Sequence, residues 1–358
     1  MNPILYAIPV FFLSIAIEAL LGWRRGQKIY DLSDAITSLQ FGVLSQVSGV
    51  FYKLISLGIY SFISSHAALQ RWPSNSVGAW IAALILYDFC YYWLHRCSHE
   101  IGVLWAAHVV HHSSEYYNLS TALRQTSTGT LFGWIFYIPM ALLGVSPVMF
   151  VTVGLIDLLY QYWVHTELIG RLGWFDRVFV SPSNHRVHHG QNDYCIDRNY
   201  GGILIVWDRL FGSFVEEREG EPICFGIRKA LHSFNPIWGN VHHYVDMWHA
   251  MCGAKGVGAK LSAWIAPPGG WREGPVEHFE TANFVRYRSA TAASLKYVAV
   301  GGYIFLNVAA TVFLIKFEVL NQTNYVFAVV SALGLAVLAW LIGAALMRRP
   351  PQPSRERH

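Results

Sequence analysis

Three short histidine groups carry the chemical signal in this chain: His95-Arg-Cys-Ser-His99, His108-Val-Val-His111-His112 and His185-Arg-Val-His188-His189. The first is an HxxxH, the other two are HxxHH. On an α-helix, positions i, i+3 and i+4 share a face, so each group is expected to aim two or three imidazoles at a common point. A single group would hold a metal ion weakly. Brought together, the imidazoles of His95, His99, His108, His111, His112, His185, His188 and His189 fill most of two coordination spheres. Imidazole suits iron, zinc, copper and nickel. A structural zinc site closes with four ligands, usually including cysteine, and has no use for so many histidines. Two ions with open positions fit O₂ activation better. Iron is the metal expected, with zinc and manganese not separated from it by spacing.

Other residues near these groups could serve them. His165, in Trp163-Val-His165-Thr-Glu167, is a candidate ninth ligand. Asp88 lies seven residues before His95 inside an apolar run, where an ionisable group is costly without a partner. It is expected either to accept a hydrogen bond from a ligand imidazole, which would set that ring's tautomer, or to make a polar helix contact. His242 and His243 are candidates to support the ligands from behind, with interfacial packing as the alternative. His66, His232 and His278 read as structural or solvated.

Composition says where such a centre would sit. Apolar residues make up 54% of the 358 and charged residues only 13%, about half the usual soluble share. The chain therefore reads as a membrane protein. A net charge of +4 without a basic stripe excludes a nucleic-acid partner. Five cysteines without a CxxC form neither a disulfide framework nor a zinc knuckle, and read as reduced residues.

The elements that must position the histidines follow from the apolar runs. Ile4–Trp23 is long enough to span a bilayer and has its basic cluster, Arg24-Arg25-Gly-Gln-Lys28, after it, so it reads as a retained helix. Further spans are expected near Ile36–Ile63 and Val77–Leu94. Leu131–Leu143 and Pro147–Val164, parted by Gly144-Val-Ser-Pro147, are short and read as a helical hairpin dipping into the membrane. A polar segment from Thr166 to Arg288 is expected outside the bilayer, before two last spans at Leu295–Ile315 and Tyr325–Met347. The expected fold is all-α: a polytopic membrane protein with a cytosolic helical cap that holds a histidine-rich di-metal site. Its regions would be N-terminal membrane helices (1–94), a catalytic region (95–290) with the embedded hairpin (131–164), C-terminal membrane helices (291–347) and a cytosolic tail (348–358). With Arg24, Arg25 and Lys28 in the cytosol, alternate spans put Arg96, Arg124, Arg171, Arg177 and Arg286 on that same side, and the histidine groups with them. The membrane would be a bacterial inner membrane, or endoplasmic reticulum in a eukaryote.

The three boxes, in this order, resemble those of the fatty acid hydroxylase and sterol desaturase superfamily. Trp105-Ala-Ala-His108 through Gln125, Tyr160–Glu167, Asn184–Gly190, Tyr194–Tyr200 and Trp207–Gly212 are similar to its glycerol-ether-cleaving members. The resemblance implies a membrane di-iron monooxygenase with the eight box histidines as iron ligands. It would use O₂ and an electron donor, reduced pterin or a redox protein, to hydroxylate the carbon beside an ether oxygen. The resulting hemiacetal would give a fatty aldehyde and a glycerol product. Glu100 occupies the place of a glutamate linked there to tetrahydrobiopterin. Two positions depart from the pattern: Asn184 stands where a further histidine is expected, and Gln161 where some fatty acid hydroxylases carry a metal-binding one. Competing readings are a hydroxylase or desaturase of sterols, carotenoids or fatty acyl chains, and a non-enzymatic membrane metal or haem carrier, which would place its histidines at mid-span.

Overall fold

The structure, a computed structural model, describes residues 4–268 and 278–347. The tail expected at 348–358 lies outside the described residues. The helices that matter for the site are α1 (Ile4–Arg24), α2 (Leu32–His66), α3 (Val77–Glu100), α4 (Pro147–Trp163), α5 (Pro182–His189), α6 (Pro236–Gly253), α7 (Ala293–Thr323) and α8 (Tyr325–Met347). Short helical turns join them, and among the described residues there are isolated bridges but no strand. The chain is all-α, as its sequence suggests.

Among the described residues α1, α3, α7 and α8 are each long and apolar enough to cross a membrane. The halves of α2, Leu32–Tyr52 and Ile55–His66, meet at 45° and together make a further candidate span. Their starts are set locally. Asp31 caps α2 by accepting from the Ser33 and Asp34 amides, and Ser76 caps α3 by accepting from Ala79 N. Helix α3 does not stop at Leu94. It runs six residues further, carries the first histidine box in its last turns, and crosses the boundary expected between residues 94 and 95.

Two apolar cores hold the membrane helices together. Ile36, Leu44 and Val47 of α2 pack with Leu306, Phe313, Leu335 and Ile342 of α7 and α8. Ala83 and Cys90 of α3 pack with Tyr137, Met140, Met149 and Val153 of the hairpin. The hairpin turns at Gly144, whose φ of +95° is left-handed. A Cβ there would stand 1.8 Å from the Gln70 carbonyl oxygen. Gly144→Ala is therefore expected to destabilise the chain by more than about 1 kcal/mol, seen as a lower unfolding midpoint in detergent.

Candidate metal centre

The three boxes and His165 converge around the end of α3, but not one box to one point. His95, His99, His108, His112 and His188 form one group, and His111, His165, His185 and His189 another; within each, one nitrogen per ring lies within 4.8 Å of all the others. In every box the i, i+4 pair stays together, whereas the i+3 histidine of each HxxHH crosses to the other group. A helix turns roughly 100° per residue, so i and i+4 diverge by only about 40° and i and i+3 by about 60° in the opposite sense. Each box thus aims two imidazoles at a common point, and the third ring of each HxxHH joins the other group. His108 also precedes its helical turn, at φ −129° and ψ −31°, and the helix it caps spans only Val109–His112.

The spacing suits metal ligation. Nε2 of His108 lies 3.1 Å from that of His95 and 3.1 Å from that of His112. In the second group, Nε2 of His165 is 3.2 Å from that of His111 and 3.1 Å from that of His185. Bonds of ~2.1 Å meeting at right angles would separate their nitrogens by about 3.0 Å. Buried Nε2 atoms of His99 and His188 have no hydrogen-bond partner among the described residues, which is costly unless something binds there. The groups abut, with the His112 and His189 rings stacked at 4.3 Å. Burial, reinforced by neighbouring imidazoles, holds His108, His112, His185 and His189 well below the usual imidazole range. Burial likewise brings His111 down to about 4. Neutral imidazole is the form that ligates a cation. The residues present fit a pair of ions.

Backbone carbonyls orient the rings from behind. Nδ1 of His95 meets Tyr200 O at 2.7 Å, that of His111 meets Arg124 O at 3.0 Å, that of His165 meets Gln161 O at 2.8 Å, and that of His188 meets Arg198 O at 2.9 Å. Each contact leaves Nε2 for the metal, the common arrangement of ligating histidines. Asp88 serves this layer rather than an imidazole. It accepts from the Ile203 amide (2.6 Å), the Leu204 amide (3.1 Å) and the Trp207 indole (2.8 Å), and so pins the loop that presents Tyr200 O. Asp208, which the sequence did not single out, does the same through the Tyr200 and Gly201 amides. Asp88→Asn would set an amide donor against three donors. It is expected to weaken metal retention in the five-histidine group by ~10–100-fold, measured by competition with a chelator.

The remaining candidates have definite places. Asn184 completes the capping box of α5: its Oδ1 accepts from Ser181 N and its backbone N–H donates to Ser181 Oγ. Gln161 accepts from Tyr91 Oη at 2.6 Å and donates to Asp157 at 2.5 Å. Arg186, inside the third box, makes a two-pronged pair with Glu217 and donates to the carbonyls of Thr166 and Ile169, tying α5 to the His165 segment. Glu100 is paired to Arg96 at 2.9 Å and is half exposed; it lines neither cavity described next. His242 and His243 line the smaller of them. Asp197, held at a left-handed φ of 56° with its carboxylate 3.7 Å from His99 Nδ1, is a further neighbour that no spacing pattern reveals.

Two cavities reach the histidines. One, of about 440 Å³, is walled mainly by apolar residues of α1, α2, α4 and α7, including Phe11, Leu39, Leu158 and Leu314, and ends on His108, His111 and His165. The other, of about 250 Å³, ends on His99, His112 and His188.

Helices long and apolar enough to span a membrane thus stand beside clustered histidines that could hold metal ions, and residues 80–213 match the family described as fatty acid hydroxylase. Over that segment the chain resembles this family. It is similar to alkylglycerol monooxygenase of Homo sapiens, 41% identical over 269 residues (75% of this chain, 60% of the relative), and to that of Danio rerio, 42% identical over 272 (75% and 59%). Ornithine lipid hydroxylase OlsE of Rhizobium tropici is 32% identical over 151 residues (42% and 45%). The chain spans about three-fifths of the length of the alkylglycerol monooxygenases it matches here. No solved structure matches it.

Proposed function

We propose that this chain is an integral membrane monooxygenase that uses two iron ions and O₂ to cleave the ether bond of alkylglycerol lipids. The observation that carries the reading is the apolar cavity, walled by membrane helices and ending on His108, His111 and His165, in a chain similar to alkylglycerol monooxygenases. The five-histidine and four-histidine groups would each hold one ion, with all nine histidines as ligands. Bound iron would supply the activation of O₂. The chain's own residues do the rest. The apolar walls take up the alkyl chain, and Tyr91, Gln125, Thr126 and Gln161 near the histidine end can meet the oxygens of a glycerol head. The carbon beside the ether oxygen is the expected target, because the oxygen stabilises the radical left when hydrogen is removed. R–CH₂–O–R′, O₂ and a two-electron donor with two protons give R–CH(OH)–O–R′, water and oxidised donor. The hemiacetal then yields R–CHO and HO–R′. Tetrahydrobiopterin or a redox protein would be that donor.

The basic residues on the box side of the spans support a cytosolic centre. Histidines in the last turns of α3 and beyond it, rather than at mid-span, disfavour a carrier. The test is O₂-dependent release of fatty aldehyde from an alkylglycerol by iron-loaded membranes, with and without tetrahydrobiopterin. Aldehyde that needs both O₂ and donor is the expected result. No aldehyde from protein holding two irons would reject ether cleavage and turn the search to sterols, carotenoids and acyl lipids.

A further inference from the structure

Two carboxylates meet where α3 passes the hairpin helix α4. Asp88 of α3 is 1% exposed and Asp157 of α4 is 2% exposed. They lie within side-chain hydrogen-bond reach of each other. Gly202 lets both oxygens face one point: a Cβ there would stand 2.7 Å from Asp157 Oδ1 and 2.9 Å from Asp88 Oδ1. Among the described residues neither aspartate makes an ion pair. The groups around Asp157 are the Tyr87, Tyr91 and Tyr137 phenols, Gln161 and Asp88.

Two buried carboxylates this close, with no cation beside them, do not both ionise. Their donors decide which one does. Asp88 accepts from the Ile203 and Leu204 amides and the Trp207 indole, three N–H groups that all favour a carboxylate. Asp157 accepts only from Gln161 Nε2, through Oδ2, and no N–H or O–H group of the described residues reaches its buried Oδ1. A proton on Oδ1 satisfies both residues at once, because it makes the orphaned oxygen a donor and Asp88 its acceptor. Resting on the two-ion reading of the centre, we infer that Asp157 stands as an un-ionised acid whose proton bridges to Asp88, and that this bridge couples the supports of the two histidine groups.

The link has two arms. From Asp88 it runs through the Ile203 and Leu204 amides to the loop whose Tyr200 carbonyl accepts from His95 Nδ1, in the five-histidine group. From Asp157 it runs to Gln161, whose backbone carbonyl accepts from His165 Nδ1, in the four-histidine group. Gln161 also accepts from Tyr91 of α3. Asp157 is thus a positioning residue that acts through Gln161 and Asp88.

The test uses the full-length chain in nanodiscs, metal-free and iron-loaded. Infrared spectra should show the C=O stretch of a protonated carboxyl group in both states, and Asp157→Asn should remove it. An amide reproduces the neutral acid, since its oxygen accepts from Gln161 and its NH₂ donates to Asp88. Asp157→Asn is therefore expected to keep iron retention against a chelator within about twofold, whereas Asp88→Asn loses tenfold or more, roughly. Asp157→Ala should weaken retention in both groups together by roughly threefold to tenfold. Gly202→Ala, which drives a methyl between the two oxygens, should do the same with both aspartates present. No such band, a band that survives Asp157→Asn, its loss on iron loading, an equal response of the two asparagine variants, or weakening confined to one histidine group would each overturn the inference. The band is read without metal or turnover, so its presence in protein that binds no iron would sink the two-ion reading and leave the protonated acid standing.

Discussion

His111→Ala is expected to take iron content from about two ions per chain to about one, with helicity retained and turnover down by at least ~100-fold. His111 belongs to the group of four, and its removal leaves three imidazoles around an ion that competes with chelators for its place. It neighbours His112 in sequence, yet His112 serves the other group, so the first ion should stay. His188→Ala provides the contrast. It strikes the group of five, which keeps four ligands, and should lower metal affinity without emptying the site. Metal analysis after chelator dialysis separates the two variants. Equal loss of both ions in both would mean that the groups do not act as separate sites.

The largest expected effect on folding belongs to Arg124→Met. The Arg124 guanidinium is 2% exposed. It donates to Val110 O at 3.0 Å, to Ser113 Oγ at 3.0 Å and to Ser38 Oγ at 3.1 Å, and lies 3.6 Å from the Asp34 carboxylate. Its face covers the Phe41 ring at 4.7 Å. It thereby ties the second histidine box to α2. Removing the cation strands Asp34 in the interior, which costs about 3–5 kcal/mol. Adding Asp34→Asn should recover part of that loss by removing the orphaned charge. Arg124 O is also the acceptor for His111 Nδ1, so the single variant should weaken the four-histidine group as well. Thermal unfolding in detergent reads the first effect and iron content the second. A midpoint unchanged in Arg124→Met would show that the buried pair contributes nothing net.

The spans were legible because α1, α3, α7 and α8 are apolar runs of bilayer length, and a pattern of that length leaves few alternatives. Their ends were less so. The expected span ended at Leu94, before the polar residues of the first box, yet α3 continues through that box to Glu100. The histidines announced themselves by type and spacing, and His165 by its place at the mouth of the hairpin. Which ring joins which group was not legible, because short helical turns and the loop at residues 197–204 settle the directions. Nor could spacing reveal the supporting layer. Asp88 lies 115 positions from Ile203, and Asp197, at a left-handed φ of 56°, meets His99 from a loop far along the chain.

The crossing of the boxes between the two groups has a consequence for biosynthesis. The five-histidine group draws His95, His99, His108 and His112 from early in the chain and His188 from much later, while three of the other four lie at residues 165, 185 and 189. A nascent chain that has emerged only as far as His112 holds two complete boxes and neither complete site. Iron captured at that stage would meet four of the five histidines of one group and only His111 of the other. Loading of the four-histidine group therefore belongs after the hairpin has inserted and α5 has docked, so uptake of the second ion reports completed assembly of the cap.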